Sequence, residues 1–139
     1  MLRAHRHSDP AGGVGMQYAR MYTAPDGETH YENVAVDLPS VDDLPGNPPI
    51  KVSKALPASA VRFCWLPDGR TSSDHPSPQG GFSVILTGAL ECTVSDGEKR
   101  TFGPGAFVAS DDVAGKGHRD RAVGDTLIML VVMDPMENF

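Results

Sequence analysis

Residues 69–118, GRTSSDHPSPQGGFSVILTGALECTVSDGEKRTFGPGAFVASDDVAGKGH, decide the fold. Short runs of β-branched and aromatic residues alternate here with Asp96-Gly97 and Gly103-Pro104-Gly105, which are typical turn sequences. One histidine stands near each end of the stretch, at His75 and His118. Because such turns bring successive strands side by side, the stretch predicts a small β-barrel with a site between the two histidines.

Strand-like sequence continues on both sides of this stretch. Residues 37–58 carry prolines at positions 39, 45, 48, 49 and 57, which predicts a long loop there. No segment has the 3.6-residue periodicity of a helix, so the prediction is an all-β barrel or sandwich. The predicted strands are 17–22, 29–36, 60–66, 82–86, 89–94, 99–102, 106–109, 117–122 and 126–133.

Length and composition limit the class of protein. A chain of 139 residues has room for one domain with one core, predicted here as residues 16–139. Residues 1–15 are polar and rich in glycine, which predicts a disordered tail. A net charge of -6 argues against a nucleic-acid partner. No apolar run approaches the roughly 20 residues that cross a bilayer, and no apolar signal segment is present, so we expect no membrane contact and a cytoplasmic location.

The glycines and histidines of residues 69–118 have an informative spacing. Five residues separate Gly69 from His75, and Ser77, Gly81 and Gly88 follow. This frame resembles the first motif of the cupin family, G-x5-H-x-H-x3,4-E-x6-G. The sequence FGPGAFVASDDVAGKGH resembles the second cupin motif, in which Pro-Gly opens the strand that leads to a last histidine.

The resemblance covers roughly residues 59–133 and is closest in type to small single-domain bacterial cupins. It implies an all-β, single-domain cupin-type β-barrel (jelly roll) with an N-terminal strand extension. An isolated barrel of this kind leaves unpaired strand edges, and an added or swapped strand covers them. We therefore expect a homodimer that the N-terminal strand completes.

The resemblance also implies a metal-ligand set. His75 and His118 match two of the family's ligand positions, whereas Ser77 and Gly81 stand at the other two. Asp120 lies two residues after His118 and therefore on the same face of a strand. His75, His118 and Asp120 would form a two-His-one-carboxylate set, the type that holds non-haem Fe(II). Either no metal or a divalent Fe, Mn, Ni or Zn ion is expected, and the two missing ligands favour the metal-free site.

Without a metal, His75, His118 and Asp120 are predicted to be catalytic, because histidine titrates near neutral pH and a carboxylate can orient its ring. The leading hypothesis is an isomerase, lyase or cyclase that uses general acid–base chemistry on a small molecule such as a natural-product intermediate. The alternatives are a metal-dependent dioxygenase and a non-catalytic module that binds or senses a small molecule. Residues 110–112, Ser-Asp-Asp, are interpreted as a solvated turn. The predicted substrate-binding residues are Ser77, Gln79, Ser83, Ile85, Phe63 and Trp65.

Overall fold

The computed structural model describes residues 7–8 and 14–139 of the chain. All regular secondary structure in this described part is β-strand, which confirms the all-β prediction. None of the described residues forms a helix of the length and hydropathy that a membrane span requires. The strands are β1 (His7–Ser8), β2 (Val14–Thr23), β3 (Thr29–Val36), β4 (Ser40–Val41), β5 (Ile50–Lys51), β6 (Ala60–Leu66), β7 (Gly81–Val94), β8 (Lys99–Phe102), β9 (Phe107–Asp111) and β10 (His118–Val132).

Eight of the strands form one curved sheet in the order β1-β2-β9-β7-β10-β6, with β3 also paired to β2 and β8 to β7. The remaining two, β4 and β5, pair with each other inside the predicted proline-rich loop. All pairings are antiparallel except that of β2 with β9. The sheet is of the predicted barrel type, and in the described part its path of hydrogen bonds ends at β6 rather than closing into a ring.

The sheet buries side chains on both of its faces, as the two-residue period of a strand allows. On β2, Met21 packs into a cluster inside the curve of the sheet, together with Ile85 of β7 and Ile128 of β10. Tyr18 points the other way and packs with Phe82 in a second cluster on the outer face. The inner cluster packs directly against the candidate site.

Two pairs of predicted strands are in fact single long strands. The predictions at 82–86 and 89–94 merge into β7, and those at 117–122 and 126–133 merge into β10. At Gly88 the backbone has φ +75°, which lets β7 bend without leaving the sheet. The register of β10 against β7 shifts between Val123 and Leu127, and the Thr126 hydroxyl donates to the carbonyl of Ala89 at 3.0 Å. Thr87-Gly88 is therefore a bend inside a strand and not a turn between two strands.

The N-terminal strand pairs within its own chain. β2 runs parallel to β9, with Ala19 opposite Val108, so the N-terminal strand covers an edge of its own sheet. Part of the predicted tail belongs to the sheet as well, because β2 begins at Val14 and β1 pairs with its first residues. The other residues of the predicted tail, 1–6 and 9–13, lie outside the described part of the chain. The expected homodimer stays a prediction.

We expect Gly88→Ala to lower the free energy of unfolding more than Gly97→Ala does. Both glycines have positive φ, so each alanine carries a backbone cost of roughly 1–2 kcal/mol. At position 88 the new Cβ would also lie 2.4 Å from the carbonyl oxygen of Asp125, whereas nothing lies within 4 Å of it at position 97. That collision adds roughly 1–3 kcal/mol. Urea unfolding measures both variants, and equal losses would contradict this account of the bend.

Candidate functional site

His75 and His118 are neighbours in space although they lie far apart in the sequence. His75 belongs to the loop between β6 and β7, and His118 is the first residue of β10. Their backbones exchange two hydrogen bonds of 2.9 Å, and the centroids of their rings are 4.8 Å apart. Gly117 permits this approach: it has φ +76°, and a Cβ there would lie 2.0 Å from the carbonyl oxygen of His75.

Asp120 completes a cluster of three potential metal ligands. Its Oδ2 lies 3.6 Å from Nε2 of His118, and one donor atom from each of His75, His118 and Asp120 lies within 4.8 Å of the others. The strand geometry accounts for this, because residues two apart on β10 point to the same face. The structure thus brings the three predicted site residues together, while their catalytic role stays a prediction.

A fourth residue, Asp112, lies behind this cluster and was missed by the sequence interpretation. It is completely buried, and its Oδ2 accepts a hydrogen bond of 2.6 Å from Nδ1 of His118. Its other oxygen, Oδ1, accepts a hydrogen bond of 2.7 Å from the Ser77 hydroxyl. The interpretation of residues 110–112 as a solvated turn is therefore wrong for Asp112. β9 continues to Asp111, and the next residue turns inward beneath His118 instead of outward to water.

Hydrogen bonds determine which nitrogen of each ring is available for a ligand. Nδ1 of His75 lies 2.8 Å from the carbonyl oxygen of Pro76, and a carbonyl can only accept, so this nitrogen carries a proton. Nδ1 of His118 donates in the same way to the carboxylate of Asp112. Nε2 is therefore the nitrogen that each ring has left for a ligand, a proton or a substrate.

The electrostatic surroundings favour a charged His118. Burial lowers the pKa of His118, but hydrogen bonds with Asp112 and Asp120 outweigh it and raise the pKa to about 9. Burial raises the pKa of Asp120, and the neighbouring His118 outweighs this effect and holds that pKa below its usual value. The hydrogen bonds to Asp112 and Asp120 therefore favour the protonated form of His118.

A small cavity of about 40 Å³ opens beside His118 and Asp120. A cavity of this size has room for an ion or a few water molecules and is far smaller than the roughly 300 Å³ of a typical pocket for an organic ligand. Any organic substrate would have to approach the cluster from the surface, where His75 is only half-buried. The lining of the cavity consists of Met21, Ser83, Leu90, Cys92, Phe102, Val108, Ser110, His118 and Asp120.

Three of the predicted substrate-binding residues lie near the cluster, but only one of them borders the cavity. Ser83 lines it, as predicted for its face of β7. Ile85 has no exposed surface and belongs to the inner hydrophobic cluster, so it does not wall the cavity. Ser77 is buried and its hydroxyl is committed to Asp112, so it supports the site from behind and offers no contact to a substrate.

The other three predicted substrate-binding residues lie on the surface and do not line the cavity. Phe63 and Trp65 are 69% and 59% exposed, because the alternation of β6 directs Leu66 into the core and these two rings outward. Gln79 is also exposed, in the loop before β7. The apolar alternation of β6 was interpreted correctly as a strand, but the sequence did not tell which of its faces is inside.

The cluster fits a divalent transition-metal ion. Histidines that bind metals usually donate their second ring N–H to a carboxylate or a backbone carbonyl, and both rings here do so. The two imidazoles and one carboxylate match the two-His-one-carboxylate set of non-haem iron sites. At the two other positions that the family resemblance implies, Ser77 is committed to Asp112 and Gly81 has no side chain, so neither adds a ligand.

Comparisons with known proteins concern the fold alone. No protein-family model matches this sequence, and no curated protein matches it. Among solved structures, the chain is similar to the conserved SPY1581 protein of unknown function from Streptococcus pyogenes, with 22% identity, 63% of this chain and 72% of that chain covered, and a TM-score of 0.46. It is also similar to the cupin protein BF4112 from Bacteroides fragilis, with 24% identity, 60% and 74% of the two chains covered, and a TM-score of 0.40.

We expect the metal-free protein to lose stability between about pH 6.5 and pH 9. The pKa of His118 is raised in the folded state, so its contribution is complete below 6.5 and disappears as the pH rises through about 9. The full effect is on the order of 3 kcal/mol, measured as the free energy of unfolding by urea in the presence of a chelator. Asp112→Asn should flatten this part of the profile, and a flat wild-type profile would contradict the assignment.

Proposed function

We propose that this protein is a metal-dependent enzyme for a small-molecule substrate, with its ion held by His75, His118 and Asp120. One observation carries the proposal: one ring nitrogen of His75, one of His118 and a carboxylate oxygen of Asp120 lie within 4.8 Å of one another, and both rings have Nδ1 engaged by an acceptor. The small cavity next to the cluster borders two of the three proposed ligands, His118 and Asp120, and not His75.

The reaction class that suits this ligand set is the oxidation of a small molecule by a dioxygenase of the non-haem iron type. Three protein ligands leave coordination positions open, and when iron is bound these positions can take substrate and dioxygen. The residues of the chain would hold the ion and keep bulk water from one side of it. Apolar and sulfur-containing side chains, among them Met21 and Cys92, line that side.

A metal-free acid–base enzyme is the second candidate, and one observation favours it. His118 lies between Asp112 and Asp120, at 2.6 Å and 3.6 Å, and its pKa is raised to about 9. Such an imidazolium can donate the proton on Nε2 to a substrate oxygen and take it back, as an isomerase, lyase or cyclase requires. A non-catalytic binding or sensing module, and a cytoplasmic location, stay predictions.

Metal loading tests the leading proposal. We expect the wild-type protein, incubated with Fe(II), Mn(II), Ni(II) or Zn(II) and then desalted, to retain about one ion per chain by elemental analysis. His75→Ala and Asp120→Asn should reduce the retained metal at least tenfold, because each removes one of three ligands. His30→Ala is the control, since the ring of His30 also has Nδ1 engaged by an acceptor, at 2.6 Å from Asp96, and His30 lies outside the cluster.

Two outcomes would overturn the metal proposal. One is a wild-type protein that retains none of the four ions after loading, which would leave the acid–base enzyme as the better candidate. The other is retention that both ligand variants share with the wild type, since the ion would then be bound elsewhere.

We also propose that the chain forms a homodimer through the outer face of β6. Val61, Phe63 and Trp65 project from this face and are 56%, 69% and 59% exposed. Together they expose on the order of 350 Å² of apolar surface, nearly half of what each partner of a stable interface buries. Val131, which pairs with Val61, continues this surface into an apolar groove of about 450 Å³. The exposed side chains of one copy would pack into the groove of a second copy, and the reverse, about a two-fold axis.

We expect Phe63→Glu and Trp65→Glu each to convert the dimer into a monomer, because a charge replaces an apolar side chain that the contact buries. Light scattering coupled to gel filtration measures the mass. Val113→Glu is the control, since Val113 is 53% exposed and lies outside β6. A wild-type protein that stays monomeric at 100-fold different loading concentrations would refute the dimer.

A further inference from the structure

We infer that Asp112, held in place by Ser77, is the positioning residue of the candidate metal centre. It holds the ring of His118 in the one orientation that directs Nε2 toward Asp120 and His75. This inference rests on the proposed function, because it concerns how the ligand His118 is prepared for an ion. Asp112 itself does not touch the cavity.

The burial of Asp112 requires an explanation. Its side chain has no exposed surface, and removing a carboxylate from water costs several kcal/mol unless a partner compensates. Its Oδ2 bonds to Nδ1 of His118 at 2.6 Å, and its Oδ1 bonds to the Ser77 hydroxyl at 2.7 Å. A well-packed apolar pair at such a place is often at least as stable as an ion pair. Stability alone therefore does not account for a buried carboxylate, whereas the orientation of a ligand histidine does.

Ser77 determines where the carboxylate points. Its hydroxyl occupies Oδ1, and its backbone N–H donates to the backbone carbonyl of Asp112 at 2.9 Å. The loop before β7 and the loop after β9 are thus joined by a side-chain bond and a main-chain bond. With Oδ1 engaged, the carboxyl group cannot rotate, and Oδ2 stays directed at His118.

As a consequence, His118 has a defined tautomer, and its Nε2 is a stronger electron donor to a metal ion. A carboxylate on Nδ1 keeps the proton on that nitrogen and leaves the lone pair of Nε2 for an ion. It also prevents a flip of the ring that would turn Nε2 away from Asp120. Carboxylates in this supporting position typically contribute 10–100-fold to metal affinity.

Cobalt titration tests the inference with Asp112→Asn. The amide has the shape of the carboxylate but only one oxygen and no charge, so it cannot accept from both Nδ1 of His118 and the Ser77 hydroxyl as Asp112 does. We expect the affinity for Co(II), measured by its visible absorption in competition with a chelator, to fall 10–100-fold in Asp112→Asn and less in Ser77→Ala. Asp111→Asn is the matched control, because that neighbouring carboxylate bonds to Arg20 and lies outside the cluster.

A second readout needs no metal. In the proton NMR spectrum of the metal-free protein, the Nδ1 proton of His118 should resonate far downfield, as a proton does in a short hydrogen bond to a carboxylate. The signal should move upfield in Asp112→Asn and stay in place in Asp120→Asn, which alters only the Nε2 side. Thermal unfolding checks that each variant folds, and Ser77→Ala supplies the test if Asp112→Asn does not.

The outcomes separate this inference from the proposed function. A folded Asp112→Asn protein that binds Co(II) as tightly as the wild type would overturn the inference and leave the metal proposal intact. A wild-type protein that binds no Co(II) would overturn the metal proposal and, with it, a metal-positioning role for Asp112. The NMR signal would then decide whether Asp112 still orients His118 for acid–base chemistry, and an unchanged signal in Asp112→Asn would refute that role as well.

Discussion

The pair of backbone hydrogen bonds between His75 and His118 is the contact on which the candidate site depends. It joins the loop before β7 to the start of β10, and the two histidines are 43 positions apart in the sequence. Three neighbouring residues are placed around this contact. Gly117 makes room for it, Ser77 continues the same loop down to Asp112, and Asp120 follows two residues further along β10. Without this junction the two rings would belong to separate parts of the sheet.

The electrostatics of the site follow from its burial. His118 and Asp120 lie in a space with little water, so the pKa of His118 is raised and that of Asp120 is lowered. Asp112 and Asp120 together make His118 basic, and an ion that binds Nε2 must displace the proton there. The same arrangement therefore suits a metal centre or a proton donor. The three potential ligands that lie within 4.8 Å of one another favour the metal.

The sequence predicted where strands occur better than it predicted which of them are continuous. Alternation and turn residues located β3, β6 and β8 at their observed bounds, because these signals depend only on neighbours along the chain. The same signals divided β7 and β10 in two, since Gly88 resembles a turn residue until the opposite strand is known. His75, His118 and Asp120 were correctly grouped from the motif frame and the strand period. Asp112 was missed because it stands beside another aspartate in a sequence typical of turns, and only its position beneath His118 distinguishes it.

The amino-acid pattern predicted the class of fold, and the motif resemblance with the strand period pointed to three polar residues that the structure brings together. Hydrophobic alternation, turn residues and glycine spacing are local properties, so they can be recognised in the sequence before any contact is known. Only the tertiary structure decided which face of β6 is inside, which nitrogen of each ring is available, and that Asp112 supports His118. These features depend on residues far apart in the chain, and a side chain's burial and protonation are set by whatever folding places beside it.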